Sequence, residues 1–196
     1  MEDNRLDKQI DFILETDKEK NIFRQTHITG YTRRENDAEH AWHMALMVYL
    51  LKEYANVEFD IAKAMMMALI HDVVEIDAGD AYAYDPKALE HQKEREDAAA
   101  KRIFALLPPD QEKELKALFY EFEENKTPEA KFVHAMDNFQ PLLLNNANNG
   151  GDWRAHGVNL YQIMNRQMGT IPGSQAIWEK TKEIIEQNVQ KGNIKK

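Results

Sequence analysis

The residues with the clearest capacity for chemistry are His71 and Asp72, which follow a run of seven apolar residues at 64–70. A helix over that run would be apolar on every side, so it should be buried and should bring both side chains into the interior. An ionised carboxylate is costly to bury unless a partner compensates its charge. A metal ion would satisfy the imidazole and the carboxylate together, and hydrogen bonds to neighbouring helices are the competing explanation.

A second histidine, His40, lies on the inner face of the preceding predicted helix. Met44, Met47 and Leu51 follow it by four, seven and eleven residues, and this spacing defines one face of a helix. His40 should therefore point toward the core. A histidine on an apolar face is more often a hydrogen-bonded core residue than a ligand, and His43 competes with His40 for the ligand role.

Asp137 is the remaining carboxylate in an apolar setting, within the segment 132–139. Pro141 lies four positions later and cannot donate a hydrogen bond to the Asp137 carbonyl, so the helix should bend there. Such a bend is found beside functional groups and also in ordinary helices. His134 is the local competitor for a ligand role.

The inward-facing candidates offer two imidazoles and two carboxylates, from His40, His71, Asp72 and Asp137. This donor set suits one divalent transition metal ion (Mn, Co, Fe, Ni or Zn) with water in the open positions. The separations along the chain are long, 71 − 40 = 31 and 137 − 72 = 65 residues. Spacing alone therefore does not establish the site.

Composition excludes several other classes of site and partner. The chain of 196 residues has no cysteine, so disulfides, thiolate metal sites and cysteine nucleophiles are ruled out. The net charge of −9 argues against general nucleic-acid binding, which needs clustered basic residues. There is no apolar run of membrane-spanning length and no signal-peptide pattern after residues 1–8. We expect a single-domain, cytoplasmic protein over residues 1–196, without membrane contact.

The elements that must position these residues are predicted to be helices. Long stretches lack glycine and proline, and strand-like alternation is scarce, so the predicted fold class is all-α. The predicted helices cover 4–16, 37–54, 60–77, 87–107, 110–123, 127–145, 154–168 and 174–190. Loops are predicted at 24–35, 78–86 and 145–152, and the tail 191–196 is expected to fray.

The ordered motifs resemble the HD superfamily of metal-dependent phosphohydrolases. Its metal signature is matched by His40, His71-Asp72 and Asp137. The segment RENDAEH at 34–40 resembles the first histidine motif of the 5′-deoxynucleotidase branch, and HDVVE at 71–75 followed by Gly79-Asp80 resembles the second. Leu107-Pro108 and the segment 129–137 also lie where that branch has them. The resemblance covers roughly residues 5–165.

This resemblance implies a compact multi-helix HD-domain bundle over about 5–165, with the helix 174–190 packed on it and the metal between core helices. It implies one divalent transition metal ion, held at the positions His40, His71, Asp72 and Asp137. The implied substrates are phosphate esters, in this branch nucleoside 5′-monophosphates. Relatives in the branch are commonly dimers, so a homodimer is expected.

The same resemblance suggests roles for residues around the metal. Glu75 is expected to act as general acid or base, and Asp80 is expected to lie near the sugar hydroxyl. Arg24 is expected to contact the phosphate, although its spacing from the first motif differs slightly from that of the best-known members. Arg33 and Arg34 are alternatives for that contact.

Other functions remain compatible with the sequence. Alarmone (guanosine polyphosphate) hydrolases of this superfamily resemble HD-x-x-E-D, and Ile76 stands where they have the second acid. Cyclic-nucleotide phosphodiesterases carry further metal-binding histidines, whereas His91 is the only histidine between Asp72 and His134. A non-catalytic nucleotide or metal sensor is disfavoured by the presence of Glu75 with all expected ligands.

Overall fold

Ten α-helices and one short hairpin form the part of the chain that a computed structural model describes, residues 4–82, 84 and 90–196. The helical fold class is confirmed. The helices are α1 (Arg5–Thr16), α2 (Asp37–Leu51), α3 (Ile61–Ile70), α4 (Glu75–Ala78), α5 (Gln92–Phe104), α6 (Pro109–Glu124), α7 (Pro128–Ala147), α8 (Gly151–His156), α9 (Leu160–Gln167) and α10 (Gln175–Gln190). Among these helices, none combines the length and the apolar character that a membrane span requires.

Helix α7 is the centre of the fold. Helices α2 and α3 pack on each other and on α7, and α6 and α10 also contact it. Met44, Met67, Phe132 and Met136 fill the space between these helices and are fully buried. This close packing fixes the relative positions of side chains on three helices that are distant in sequence.

The segment 24–35 is predicted as a loop, and this prediction is wrong at both ends, whereas 28–33 is a loop between two strands. Strand β1 (Phe23–His27) pairs antiparallel with strand β2 (Arg34–Asn36). The connection uses Gly30 and Tyr31, which both have positive φ. Asp152 accepts a hydrogen bond of 2.9 Å from the backbone N–H of His27, so the hairpin is joined to α8. Two strands this short show too little alternation to be detected in the sequence.

The helix predicted over 60–77 is interrupted after Ile70. The N–H groups of Val73 and Glu75 donate to the carbonyls three residues earlier, Ile70 and Asp72, at 3.3 and 2.8 Å. These tighter bonds replace the α-helical pattern before α4 begins. In addition, α3 is not buried on all sides as expected, because Met66 and Leu69 are exposed.

The C-terminal third also differs from the prediction. The helix expected over 154–168 is two helices, separated at Gly157, which has φ +64°, and restarted by a capping box at Asn159. Much of the loop expected at 145–152 is helical, because α7 continues to residue 147 and α8 begins at 151. The tail does not fray: Ile194 is buried, and Lys195 accepts a backbone hydrogen bond of 2.7 Å from Leu160. The expected start of the fourth helix at residue 87 and part of the loop 78–86 lie outside the described residues.

Gly173 is required for the approach of the segment before α10 to α7. A Cβ at this position would press on the Lys131 carbonyl, 2.7 Å from its carbon, and would lie 2.9 Å from the Ala135 Cβ. We expect Gly173→Ala to lower the free energy of unfolding by about 1–3 kcal/mol, as other overpacking changes do. Urea denaturation checks this. The neighbouring Gln175→Ala, at an exposed side chain, should change it by less than about 0.5 kcal/mol.

Candidate metal centre and substrate cavity

The fold brings the four predicted metal ligands together. His40 lies in the first turn of α2, His71 and Asp72 in the turn after α3, and Asp137 in the middle of α7. The His40 Nε2 lies 3.2 Å from the Asp137 Oδ1 and 3.9 Å from the Asp72 Oδ2. The His71 Nε2 lies 3.1 Å from the Asp72 Oδ2. One donor atom each from His40, His71 and Asp72 lies within 4.8 Å of the others, so this group can hold a metal ion.

The two imidazoles are oriented by hydrogen bonds on their far sides. The His40 Nδ1 donates to the Gln140 Oε1 at 3.1 Å, and the His71 Nδ1 donates to the Ala68 carbonyl at 2.9 Å. Gln140 is held in turn by donating to the Glu35 Oε1 at 2.6 Å. Both Nε2 atoms therefore point at the carboxylates Asp72 and Asp137, on the side where a metal ion would take the place of their protons. The His71 Nε2 is buried without a hydrogen-bond partner among the described residues, and a cation is a fitting partner for such an atom.

The site is arranged to keep the two predicted ligand carboxylates ionised. Burial alone would raise the pKa of Asp72, but the charges of His71 and Arg24 hold it below its ordinary value. In the same way, a hydrogen bond from His40 and the charge of Arg166 hold the pKa of Asp137 well below its ordinary value against the effect of burial. Ionised carboxylates are the form that binds a metal.

The competing histidines are engaged in other contacts. The His134 Nε2 donates to the Phe122 carbonyl at 2.9 Å, and its ring stacks on the Phe122 ring with centroids 3.9 Å apart. The His43 Nδ1 lies 3.2 Å from the Gln140 Nε2. Both histidines thus fit the structural interpretation, in which a core histidine is satisfied by hydrogen bonds.

Glu75 lies beside Asp72 with one oxygen unsatisfied. It begins α4 and is 9 % exposed, and its Oε2 has no hydrogen-bond partner within the described ranges. Burial, reinforced by the charges of Asp72 and Asp37, raises its pKa well above the ordinary value. A carboxyl group that keeps its proton to higher pH can serve as a general acid near neutrality.

Asp37 is a member of the site that the sequence interpretation missed. It is the first residue of α2 and follows the N-cap Asn36, which forms a capping box with Glu39. Asp37 is fully buried and lies in one cluster with Asp72 and Glu75, whose donor atoms are all within 4.8 Å of one another. Only its place beside a recognisable cap could have suggested that it points inward.

Two arginines neutralise this group of acids. The Arg24 Nη1 donates to the Asp72 Oδ2 at 2.7 Å, and its other nitrogen lies 3.9 Å from the Asp137 Oδ1. Arg166, which no sequence motif indicated, donates from α9 to the Asp137 Oδ2 at 3.3 Å. Arg33 is not brought to the site: its guanidinium is exposed and makes two hydrogen bonds to Glu39, at 2.8 and 2.6 Å.

A cavity of about 250 Å³ opens directly on these groups. Its walls at the metal-binding end include Arg24, Asp72, Glu75, Asp80, Asp137 and Arg166. Asp80, the predicted sugar contact, therefore lies in the same cavity as the predicted ligands. From there the cavity extends to Tyr82, Tyr84 and Trp153.

Curated relatives match part of the chain. Bovine 5′-deoxynucleotidase HDDC2 is 34% identical over 121 residues, which are 59% of this chain and 57% of the bovine protein. The human protein of the same name is 34% identical over 111 residues, 57% of this chain and 53% of its own length. The chain thus spans just over half the length of these relatives.

Solved structures match over nearly the whole chain. A protein from Magnetospirillum magnetotacticum MS-1, described as a predicted metal-dependent phosphohydrolase, is 43% identical and superposes with a TM-score of 0.94 over 98% of this chain and 96% of its own. A conserved hypothetical protein from Pyrococcus furiosus is 27% identical, with a TM-score of 0.61 over 92% and 99%. The family model for the HD domain matches residues 16–178, most of the sequence. The matched range includes the paired His71-Asp72, and the chain belongs to the HD-domain family.

Proposed function

We propose that the protein is a metal-dependent phosphohydrolase that releases phosphate from nucleoside 5′-monophosphates. The observation that most supports this is the orphaned, buried Nε2 of His71, which faces Asp72 beside a protonatable Glu75 at one end of a cavity. The names of the HDDC2 relatives and of the Magnetospirillum neighbour agree with this proposal. A cytoplasmic location, expected from the sequence, is part of it.

The proposed cofactor is one divalent transition metal ion (Mn, Co, Fe, Ni or Zn), held by His40, His71, Asp72 and Asp137. Nitrogen and oxygen donors in this ratio suit such an ion. When bound, an ion of this kind lowers the pKa of a coordinated water and polarises a phosphoryl oxygen.

The remaining side chains have separate proposed roles. Arg24 and Arg166 balance the charge of the phosphate oxygens, because both guanidiniums lie at the ligand carboxylates where the phosphate must bind. Glu75 gives its proton to the 5′-oxygen of the leaving nucleoside. Asp80 accepts a hydrogen bond from the sugar.

A substrate panel tests the proposed activity. Release of phosphate or pyrophosphate is measured from the deoxy- and ribonucleoside 5′-monophosphates, with Mn or Co added, alongside guanosine polyphosphate and a simple phenyl phosphate. Release from nucleoside monophosphates is the expected result. Release from guanosine polyphosphate alone would favour the alarmone hydrolase alternative, and no release from any compound would favour a sensor.

Arg166 provides a separate test of phosphate binding. We expect Arg166→Gln to raise KM for nucleoside monophosphates by about 10-fold or more, since a hydrogen bond to a charged group contributes about 1.5–3 kcal/mol. Arg166 also donates to the predicted ligand Asp137, so its loss should lower metal affinity as well, and KM is therefore measured at saturating metal. Steady-state kinetics and metal analysis are the measurements, with Arg33→Gln as the matched surface control. An unchanged KM would remove Arg166 from the phosphate site.

We also propose that the protein is a homodimer through the outer faces of α2 and α3. Both helices pack on α7, so their exposed side chains point away from the core. Large apolar side chains that are 40–63 % exposed occupy these faces: Trp42, Leu46, Tyr49, Leu50, Met66 and Leu69. Half-exposed, six such side chains present about 500 Å² of surface, within the range of the largest apolar patch of a protein, which is often functional. A second copy of this chain would cover the face symmetrically.

Sedimentation analysis tests the dimer. The unmodified protein should sediment as a dimer at micromolar concentration. Leu50→Glu should shift it toward monomer, because a buried, unpaired charge at an interface is strongly unfavourable. Leu14→Glu, at an equally exposed leucine on α1, is the control and should leave the dimer intact. A monomeric unmodified protein would contradict the proposal.

A further inference from the structure

Two side-chain amides in the cavity wall have carbonyl oxygens that lack a hydrogen-bond donor. The Asn145 Oδ1 and the Gln167 Oε1 are both buried and have no partner among residues 4–82, 84 and 90–196. Their NH₂ groups are engaged: the Asn145 Nδ2 donates to the Pro141 carbonyl at 3.1 Å, and the Gln167 Nε2 donates to the Asn138 carbonyl at 2.7 Å. Since a carbonyl can only accept, these bonds fix which end of each amide is the nitrogen. Each oxygen is a fixed, unsatisfied acceptor.

The two acceptors lie at different depths from the metal-binding end. Asn138, Pro141 and Asn145 line the cavity from one face of α7, at intervals of three and four residues. Asn145 follows Asp137 by eight residues, or about 12 Å along the helix axis. Gln167 bonds to Asn138 and therefore stays near the Asp137 end. Asn145 is therefore the acceptor that lies further from the predicted metal ligands.

Asn145 is linked through Gly150 to α8, the helix that carries an aromatic residue of the cavity wall. The Asn145 carbonyl accepts a hydrogen bond of 2.7 Å from Gly150, the residue directly before α8. Trp153 of α8 lines the cavity, and the Tyr82 ring lies 4.6 Å from the ring of His156 at the end of α8. A flat, polarisable group such as a nucleobase suits a place between aromatic side chains.

We propose that Asn145 is a specificity-determining residue that accepts a hydrogen bond from the exocyclic amino group of a nucleobase. This inference rests on the proposed function, which places the phosphate at the metal-binding end. The base edge is the part of a 5′-nucleotide furthest from the phosphate. The sugar hydroxyls, in contrast, are only a few bonds away from the phosphate. Cytosine and adenine present an amino group on that edge, whereas uracil and hypoxanthine present a carbonyl oxygen that would face the Asn145 Oδ1 acceptor to acceptor.

The test compares substrates that differ only in this group. The protein should have a kcat/KM for dCMP about 10-fold above that for dUMP, and for dAMP about 10-fold above that for dIMP, the size expected for one buried hydrogen bond against an unpaired acceptor. Asn145→Leu should bring both ratios to one, and Asn145→Asp, which keeps an acceptor, should preserve the preference. Gln167→Met is the matched control, because it removes the other orphaned amide and should leave both ratios unchanged.

The ratios separate a specificity role from a structural one, since a general loss of folding lowers both members of a pair equally. Equal kcat/KM values for dCMP and dUMP in the unmodified protein would overturn the inference while leaving the proposed phosphohydrolase intact. If no nucleotide is hydrolysed, calorimetric dissociation constants of dCMP and dUMP for the Mn-loaded protein decide the question. Tighter binding of dCMP would then support the inference although the proposed activity had failed, and equal binding would overturn it.

Discussion

Asp72→Ala is expected to abolish both metal retention and phosphate release. Asp72 belongs to two groups of potential metal-binding side chains. One group contains His40 and His71, and the other contains Asp37 and Glu75. Its removal deletes a predicted ligand. Loss of a residue that merely supports a ligand already lowers metal affinity by about 10–100-fold, so loss of the ligand should exceed that range. Metal content after dialysis and phosphate release are the two measurements.

The substitution also leaves Arg24 with a weaker set of partners. Arg24 donates to Asp72 at 2.7 Å, and its other acidic contacts are longer, 3.6 Å to Asp37 and 3.9 Å to Asp137. A buried guanidinium without a close partner is destabilising, so thermal unfolding is measured in parallel. Asp72→Asn keeps the shape of the side chain and a hydrogen-bond acceptor for Arg24. It should therefore unfold at a higher temperature than Asp72→Ala and should still be deficient in metal.

Asp77 offers a matched control for the metal experiment. It lies in α4, close in sequence, but pairs with Arg102 and does not line the cavity. Asp77→Ala should therefore retain the metal and the activity. Full metal occupancy in a folded Asp72→Ala protein would contradict the proposed ligand set.

The positions of the predicted ligands follow from features that a sequence displays. His40 shares a helix face with core methionines, and His71 and Asp72 follow an apolar run. If both helices are buried against the same third helix, these three side chains come close to one another. The observed packing of α2 and α3 on α7 does so, and it places Asp137 at the same point. Helix periodicity is local in sequence, and the order of the motifs is visible in the sequence itself. Both could therefore be interpreted without the structure.

The features that escaped prediction depend on contacts between distant segments. Arg166 reaches the site only because the predicted helix over 154–168 is divided and α9 is turned back toward Asp137. The hairpin is held by Asp152, more than a hundred residues away. Ile194 is buried because the tail pairs with the start of α9. No local propensity encodes these contacts, since each exists only after the core has formed.

Glu75→Gln is expected to lower kcat by about 10²–10⁴-fold, the contribution of a positioned acid or base, with metal content and substrate affinity retained. Glutamine has the same shape but cannot transfer a proton. Because burial raises the pKa of Glu75 in the folded state, the folded protein binds that proton more tightly than the unfolded chain does. Ionisation of Glu75 at higher pH therefore lowers the free energy of unfolding of the unmodified protein. Glutamine does not ionise, so Glu75→Gln should have an unchanged or higher free energy of unfolding. Lost activity cannot then be attributed to unfolding.

The pH profile and a matched variant complete the argument for Glu75. If it acts as the general acid, kcat of the unmodified protein should fall as pH rises through its raised pKa, and Glu75→Gln should lack that descending limb. Glu96 also lines the cavity and accepts a hydrogen bond of 2.7 Å from Gln92, so Glu96→Gln removes a second cavity carboxyl without touching the predicted ligands. Its kcat should stay within about 3-fold of the unmodified value, a change of well under 1 kcal/mol. Full activity of Glu75→Gln, or equal losses in both variants, would show that proton transfer at this site depends on another group.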